Sequence, residues 1–571
     1  EKWPPRQAQW YINEQKDEGL RAAHIQQSPD PFSVAMLQIY RGYEEACQRG
    51  GLVDFGELLL RAHELWLNKP ELLAHYQDRF QHILVDEFQD TNSIQYAWLR
   101  VLAGNKLGMT AVGDDDQSIY GWRGAKIENI QNYTHDFEAV TTVRLEQNYR
   151  STATILKAAN GVISQNANRL GKTLWTDGED GEMLSLYAGF NEQDEARFIG
   201  ERIQDWIAKG NMRSDVAILY RSNAQSRILE EALLRLQIPY RIYGGHRFYE
   251  RLEIKNALAY LRLLMNRHDD AAFERVINTP TRGIGDKTVQ RLRDTARANQ
   301  QSLWAAAETE VENLPARASN AVRGFLAMVS ELAEDYQSLT LDGLTDQVLE
   351  ASGLLEFYRR EKGERGQTRV ENLEELINAC RAYEAPDPDT PALPQFIDEA
   401  VLDAGERQAE SDEDAIQLMT LHSAKGLEFP LVFMAGMEEN LFPHKMSLEE
   451  SGRLEEERRL CYVGITRAME KLYLTYAETR RLYGQESFNR VSRFIRDIPS
   501  DVLQEVRLSA NVSRPTSFVK KPATLSDEGT GSGLSLGQQV KHKIFGEGVI
   551  LSFEGNGPNG RVQVNFANEG T

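Results

Sequence analysis

Ile83-Leu84-Val85-Asp86-Glu87-Phe88-Gln89-Asp90 is a short apolar run that stops on two adjacent carboxylates. Buried parallel strands of an α/β sheet end in this way, as a few β-branched or aliphatic residues running into an acidic turn. Two carboxylates at a strand end also suit nucleotide hydrolysis. One can hold Mg2+ through its oxygens while its neighbour orients or deprotonates the attacking water. Asp86 takes the first role and Glu87 the second. A lone pair of this kind usually marks only a strand entering a loop, so its surroundings decide the reading. Met109-Thr110-Ala111-Val112 is a second apolar run, followed by Gly113-Asp114-Asp115-Asp116-Gln117-Ser118-Ile119-Tyr120-Gly121-Trp122-Arg123-Gly124. Gln117 can sense a terminal phosphate, Tyr120 and Trp122 can stack on bases, and Arg123 can add cationic attraction. The competing reading, an acidic turn before core aromatics, is weakened because three aspartates are poor core material.

The same strand signature recurs in Val216-Ala217-Ile218-Leu219-Tyr220 and Leu431-Val432-Phe433-Met434. Before the first strand, residues 1 to about 80 read as helices, with Phe55, Leu58, Leu59, Ala62, Leu65 and Trp66 at helical spacing. A long helical stretch from about 245 to 415 separates two sheet regions. Near its end lie Pro386, Pro388, Pro391 and Pro394 and the acidic run Glu410–Asp414, as expected of connections between domains. The second sheet domain is therefore expected to be interrupted by a helical insertion. After Pro515 the chain is rich in Ser, Thr, Gly and Lys, a flexible linker by composition. Residues 536–567 alternate apolar and polar with Gly turns and predict a small β-barrel.

At 571 residues the chain is several domains long. A formal net charge of −21 excludes a protein that coats nucleic acid through bulk charge. Between Arg458 and Arg496, however, nine Lys/Arg face three Glu, with Tyr462, Tyr473, Tyr476, Tyr483 and Phe488 interleaved. Composition alone favours a solvated helix face with core aromatics there over a nucleic-acid contact. Cys47, Cys380 and Cys461 are scattered and support neither a disulfide framework nor a zinc site. No apolar run is long enough to span a membrane and no signal peptide is evident, so a cytoplasmic protein without membrane contact is expected.

Val85 to Asn92, Val112 to Ala125, Leu145 to Ser151, Leu418 to Phe429 and Glu455 to Met469 resemble, in this order, motifs II to VI of the UvrD/Rep/PcrA-type superfamily 1 DNA helicases. Ile94–Trp98 and Tyr220–Ser226 extend the likeness. Long motifs in fixed order are far more specific than a single short match. The resemblance implies an α/β fold of two RecA-like parallel-sheet domains, the first incomplete, with helical inserted domains and a small C-terminal Tudor/SH3-like β-barrel. The implied boundaries are a partial helical subdomain at 1–80, the rest of the first RecA-like domain at 81–146, and the second in two parts at 147–243 and 417–510. A helical domain is inserted at 244–416, a linker follows at 511–535, and the barrel occupies 536–571.

In this family ATP binds between the RecA-like domains. The resemblance carries Tyr149 to the adenine face, Arg150 to the phosphates, Glu428 to the ribose and Arg467 to the arginine finger, with Mg2+ on Asp86. It places His422 near DNA and makes Tyr483 the hairpin aromatic that separates strands. Gly283 and Gly285 resemble a loop whose amides meet duplex phosphates, although a plain Gly turn capping a helix remains an equal rival. The implied activity is ATP-dependent 3′ to 5′ translocation on single-stranded DNA and at single-strand/duplex junctions, in excision and mismatch repair. Repair proteins and RNA polymerase are the partners implied for the barrel.

One element departs from the family. No GxxxxGK[ST] loop occurs; Gly171-Lys172-Thr173 has its ending, but Asn166 stands where the first Gly belongs and no strand precedes it. Without the loop's lysine and amides the phosphates lose their cradle, so the 571 residues are expected to hydrolyse ATP negligibly and to be a fragment of a larger protein. Two other readings stay open: a nucleotide-inert single-stranded DNA-binding scaffold, and a subunit of a helicase–nuclease. The intact set Asp86, Glu87, Gln117, Arg150 and Arg467 opposes the first, and the missing carboxylate-rich nuclease domain opposes the second.

Overall fold

The computed structural model describes residues 5–506, apart from 27, 105–106, 168, 336–337, 362–363, 388–389, 406–412, 450–451 and 483–484, together with 539–542, 546–554 and 561–566. The chain divides into two compact units, 1–507 and 508–571. The first opens with helices Pro5–Asp17, Pro31–Gly50, Phe55–Asn68 and Pro70–Arg79. In Phe55–Asn68 the inward face is Glu57, Leu60 and Trp66, whereas Phe55 and Leu58 are exposed. The apolar periodicity thus gives the helix but not its buried stripe. Glu57 can turn inward because Lys16, Arg21 and Arg61 all pair with its carboxylate.

Strands β1 (His82–Val85) and β2 (Gly108–Ala111) pair in parallel, from His82 opposite Gly108 to Val85 opposite Ala111. Alternation sends Ile83, Val85, Met109 and Ala111 towards a small core around Phe88 and Tyr96. The opposite face stays open: Leu84 is 80% exposed and Val112 54%, so these strands are not buried on both sides as their apolar runs predict. Phe88, directly after the acid pair, is fully buried and meets Tyr96 and Tyr133 edge-on at centroid distances of 5.6 and 5.4 Å. The following helix, Ser93–Ala103, starts on a capping box between Asn92 and Gln95.

The main sheet is seven-stranded and parallel. Its members are β3 (Leu184–Gly189), β4 (Val216–Tyr220), β5 (Tyr240–Ile242), β6 (Ile416–Thr420), β7 (Phe429–Met434), β8 (Ala468–Ala477) and β11 (Leu503–Glu505), in the order β11-β3-β8-β7-β4-β6-β5. Val216 to Tyr220 are all buried because both faces are covered: Ala217 and Leu219 face one core, Val216, Ile218 and Tyr220 the other. Between β5 and β6, which are neighbours with Tyr240 opposite Ile416, the chain makes the helical excursion from Leu252 to Gly405. That excursion has its own core, including Phe273, Trp304, Phe325 and Tyr358. Strands β9 (Arg480–Leu482) and β10 (Gln485–Ser487) form a hairpin, and Tyr483 lies outside the described residues.

Gly161, in helix Ala153–Ile163, packs against the turn before β11. A Cβ there would stand 2.6 Å from Pro499 Cδ and 2.8 Å from the Asp497 carbonyl oxygen. Gly161→Ala should gain about 1 kcal/mol of helix propensity, yet overpacking against backbone costs about 1–3 kcal/mol. The expected net result is a lower denaturant midpoint; a midpoint equal to or above wild type would contradict this packing.

In the second unit, β12 (Gln539–His542), β13 (Gly546–Glu554) and β14 (Arg561–Phe566) form an antiparallel sheet in sequence order. The linker expected at 511–535 and the remaining parts of the expected barrel lie outside the described residues.

Candidate active site

The acid pair sits where β1 stops. Asp86 is exposed and its Oδ1 accepts the Glu87 amide at 2.9 Å. Glu87 has φ 49°, a left-handed conformation that costs a non-glycine residue roughly 1 kcal/mol or more and that clusters at functional sites. The kink turns its half-exposed carboxylate towards Gln89, whose Nε2 donates at 2.6 Å, and Lys425, whose Nζ lies 3.2 Å away. Gln89 is fully buried, and its Oε1 accepts the Asp114 amide at 2.9 Å, joining the end of β1 to the loop after β2. In that loop Gln117 Nε2 donates to Asp114 Oδ2 at 2.7 Å.

Asp115 and Asp116 are buried, contrary to the expectation that a triple Asp stays out of a core. They are tolerated because the segment 169–172 supplies donors: Arg169 grips Asp116, and the Leu170 amide donates to Asp115 Oδ2 at 2.8 Å. Lys172, in the Gly-Lys-Thr stretch, forms an ion pair with Asp114.

Tyr120, Trp122 and Arg123 form one cluster with His422. Arg123 lies over the Tyr120 and Trp122 rings at 4.9 and 4.5 Å, and the Trp122 ring meets the His422 ring at 6.3 Å. Tyr120 donates its hydroxyl to the His422 carbonyl at 3.3 Å. Gly121 brings the backbone against Glu456, its amide donating to Oε1 at 3.0 Å.

The loop between β6 and β7 touches several parts of the site. Lys425 donates to Asp90 Oδ2 at 2.7 Å and to the Gln117 carbonyl at 3.0 Å. Glu428 pairs with Arg150 at 2.5 Å, and the Leu427 carbonyl accepts from Arg467 Nη1 at 3.0 Å. Tyr149, beside Arg150, is 86% exposed, an open aromatic face. Arg467 is 2% exposed, and its hydrogen bonds go to neutral oxygens, of Val463, Leu427 and Thr466. Burial first, and the Arg150 charge second, push its guanidinium down to about 10. Arg467 is thus a buried cation among neutral oxygens, and Arg150, the second cation near it, is paired with Glu428.

Gly283 and Gly285 lie elsewhere, in the helical excursion. Both are exposed around buried Ile284, and Asn278 Oδ1 holds the Arg282 and Ile284 amides at 2.8 and 3.2 Å. Gly285 precedes helix Asp286–Asn299, so the glycine turn also starts a helix.

Residues 1–138 match the family described as UvrD/REP helicase N-terminal domain, and residues 143–479 match UvrD-like helicase C-terminal domain. The chain is 59% identical to DNA helicase II of Escherichia coli (strain K12), over all of this chain and 79% of that protein. DNA helicase II of Haemophilus influenzae is 54% identical over all of this chain and 78% of that protein. ATP-dependent DNA helicase PcrA of Staphylococcus epidermidis (strain ATCC 12228 / FDA PCI 1200) is 39% identical, over all of this chain and 79% of its own length.

The chain belongs to the UvrD/Rep helicase family. Within it, the boundary between the two matched regions runs through the contacts just described: Lys425 to Glu87 and Asp90, Glu456 to Gly121, Arg169 and Lys172 to Asp116 and Asp114, and the Leu170 amide to Asp115 all cross it. Lys425 and Glu456 lie in stretches that carry the family likeness, but the sequence alone assigns them no part. A lysine inside a glycine-bearing loop and a glutamate inside a charged helix carry no local mark of partners more than 300 residues away. In the basic stretch 458–496, Arg458 pairs with Asp497, Lys471 with Glu182, Arg480 with Glu195 and Glu438, and Arg493 with Glu439; these four are not a solvated helix face, since Lys471 lies on β8 and Arg480 is buried on β9.

His422 is a neutral group in this family member. Burial, then the Arg221 charge, push its imidazole down to about 3, with Glu457 opposing. Its folded value lies below the unfolded value of about 6.5, so the unfolded chain takes up the proton first and stability falls as pH drops below about 6.5. His422→Gln should remove about 1–2 kcal/mol of the acid sensitivity between pH 7 and pH 5. Denaturant midpoints of both proteins at the two pH values measure this, and equal pH sensitivity would contradict it.

Proposed function

We propose that this chain is the greater part of an ATP-driven DNA helicase that moves 3′ to 5′ along a single strand and opens duplex at junctions, the 571 residues hydrolysing ATP negligibly by themselves because they lack a GxxxxGK[ST] loop. The observation that carries the reading is the loop between β6 and β7. One short segment contacts the acid pair through Lys425, the two arginines through Leu427 and Glu428, and the stacking cluster through His422. A change at the nucleotide therefore has a direct route to bases stacked on Tyr120 and Trp122.

In this reading Tyr149 offers the face for adenine, and Glu428 reaches the ribose once released from Arg150. Arg150 and Arg467 meet the phosphates, bidentate forks being suited to that contact. Glu87 orients the attacking water and accepts its proton, while Gln117 reads the terminal phosphate from its place against Asp114. Asp86, an exposed hard-oxygen donor at the strand end, fits Mg2+, which would neutralise charge on the phosphates. Arg123, Trp122, Tyr120 and His422 hold the single strand, Gly283 and Gly285 the duplex backbone, and Tyr483 the point of strand separation.

The proposal extends to cytoplasmic work in excision and mismatch repair, and to contact of the 539–566 sheet with repair proteins or RNA polymerase. Among the described residues no helix is long and apolar enough to cross a membrane. No GxxxxGK[ST] stretch occurs in the 571 residues, so the tests use the product of the complete gene. ATP-dependent displacement of a labelled strand from a 3′-tailed duplex, and not from a 5′-tailed one, is the expected result. Equal displacement from both, or none with either, would overturn the polarity or the activity respectively. Deletion from Gly531 onward is expected to abolish RNA polymerase binding in a pull-down; intact binding would refute that partner surface.

A further inference from the structure

Asp114, Asp115 and Asp116 bring carboxylate oxygens within 4.8 Å of one another, a spacing that resembles a cation site. The cations in contact with them are the protein's own. Arg169 makes a bidentate pair with Asp116, Nε to Oδ1 at 2.7 Å and Nη2 to Oδ2 at 2.5 Å, and Asp116 is almost wholly buried. Lys172 pairs with Asp114 and lies 3.8 Å from Asp116, with Tyr462 beneath its ammonium at 5.7 Å. Arg169 also holds the Lys172 carbonyl at 3.2 Å, which ties the two cations together.

Asp114 is the shared member of two chains of contacts. One oxygen fixes Gln117 Nε2 at 2.7 Å, the other accepts the Asp116 amide at 3.0 Å, and its own amide is held by Gln89, which also donates to Glu87. On the far side, the segment bearing Lys172 is bound to the stretch leading into Tyr149 and Arg150. The Thr173 amide donates to Glu146 Oε1 at 2.9 Å, the Trp175 amide to the Glu146 carbonyl at 3.0 Å, and the Asn148 amide to the Trp175 carbonyl at 2.7 Å.

We infer that Arg169 and Lys172 are positioning residues for ATP hydrolysis: a clamp on Asp116 and Asp114 that sets Gln117 and Glu87 from the region carrying Tyr149 and Arg150. Each acts through an aspartate, and the clamp ties the phosphate-sensing amide to the adenine-facing segment. The inference rests on the nucleotide site proposed above.

The test is steady-state, DNA-stimulated ATP hydrolysis by the product of the complete gene and its Lys172→Met, Lys172→Arg, Asp114→Asn and Lys172→Met/Asp114→Asn variants. Misplacing a catalytic group costs about ten- to hundredfold, so Lys172→Met should lower kcat by that factor with KM for ATP nearly unchanged. Lys172→Arg should restore most of the rate. Because Lys172 acts through Asp114, the double variant should be no slower than the slower single one. A wild-type kcat in Lys172→Met, or multiplying defects in the double variant, would overturn the clamp. Should Lys172→Met fail to fold, Arg169→Gln is held to the same kcat-against-KM split. An unsubstituted protein that shows no DNA-stimulated hydrolysis would overturn the nucleotide reading itself, and the clamp with it.

Discussion

Glu87→Gln is expected to slow single-turnover ATP hydrolysis by about 10²–10⁴-fold, the contribution of a positioned general base, while ATP and DNA binding persist. The substitution keeps the size of the side chain and an oxygen that still accepts from Gln89 Nε2. It removes the capacity to take a proton from water, together with the charge that faces Lys425. The strained backbone at φ 49° is retained by its surroundings, since Phe88 is anchored between Tyr96 and Tyr133 and Lys425 reaches the carboxylate from the opposite side of the cleft. Single-turnover quench-flow with saturating DNA measures the chemical step. A variant within a few-fold of wild type would remove Glu87 from the chemistry and leave the acid pair a strand end.

Arg467→Lys is expected to lower kcat by about 10³-fold or more, the range for an arginine finger. A lysine keeps the charge but not the planar fork, which here spends donors on the Val463, Leu427 and Thr466 oxygens. Because Arg467 is buried, the variant must also be checked for a melting temperature near that of wild type. With folding intact, unchanged kcat would mean that the residue is only a structural tie between helix Arg453–Ile465 and the β6–β7 loop.

The parts legible in the sequence were those with a local signature. Val216–Tyr220 read as a strand covered on both faces because every residue is apolar, and Asp86-Glu87 read as the acidic end of β1 because the run Ile83–Val85 stops there. The order of the motif stretches carried the family, and with it the proposal that Tyr149, Arg150, Glu428 and Arg467 serve one nucleotide; of these, Arg150 and Glu428 pair with each other. What escaped were residues whose meaning lies in a distant partner. Lys425 and Asp90 are 335 positions apart, and only the fold shows that they touch. Asp115 and Asp116 looked unfit for burial because their partners, Leu170 and Arg169, belong to a stretch read only as a failed phosphate loop. Leu84 was misjudged for the opposite reason: apolar content fixes a strand, whereas burial depends on what lies across its face.

The acid pair, the two arginines and the Tyr120–Arg123 cluster are proposed to work as one site joined by the β6–β7 loop. ATP hydrolysis by the product of the complete gene, titrated with single-stranded DNA, tests it most directly. Saturable stimulation of about 5- to 150-fold, the usual range for coupled sites, is the predicted result. Single-stranded DNA that binds while hydrolysis stays absent or unchanged would contradict the account.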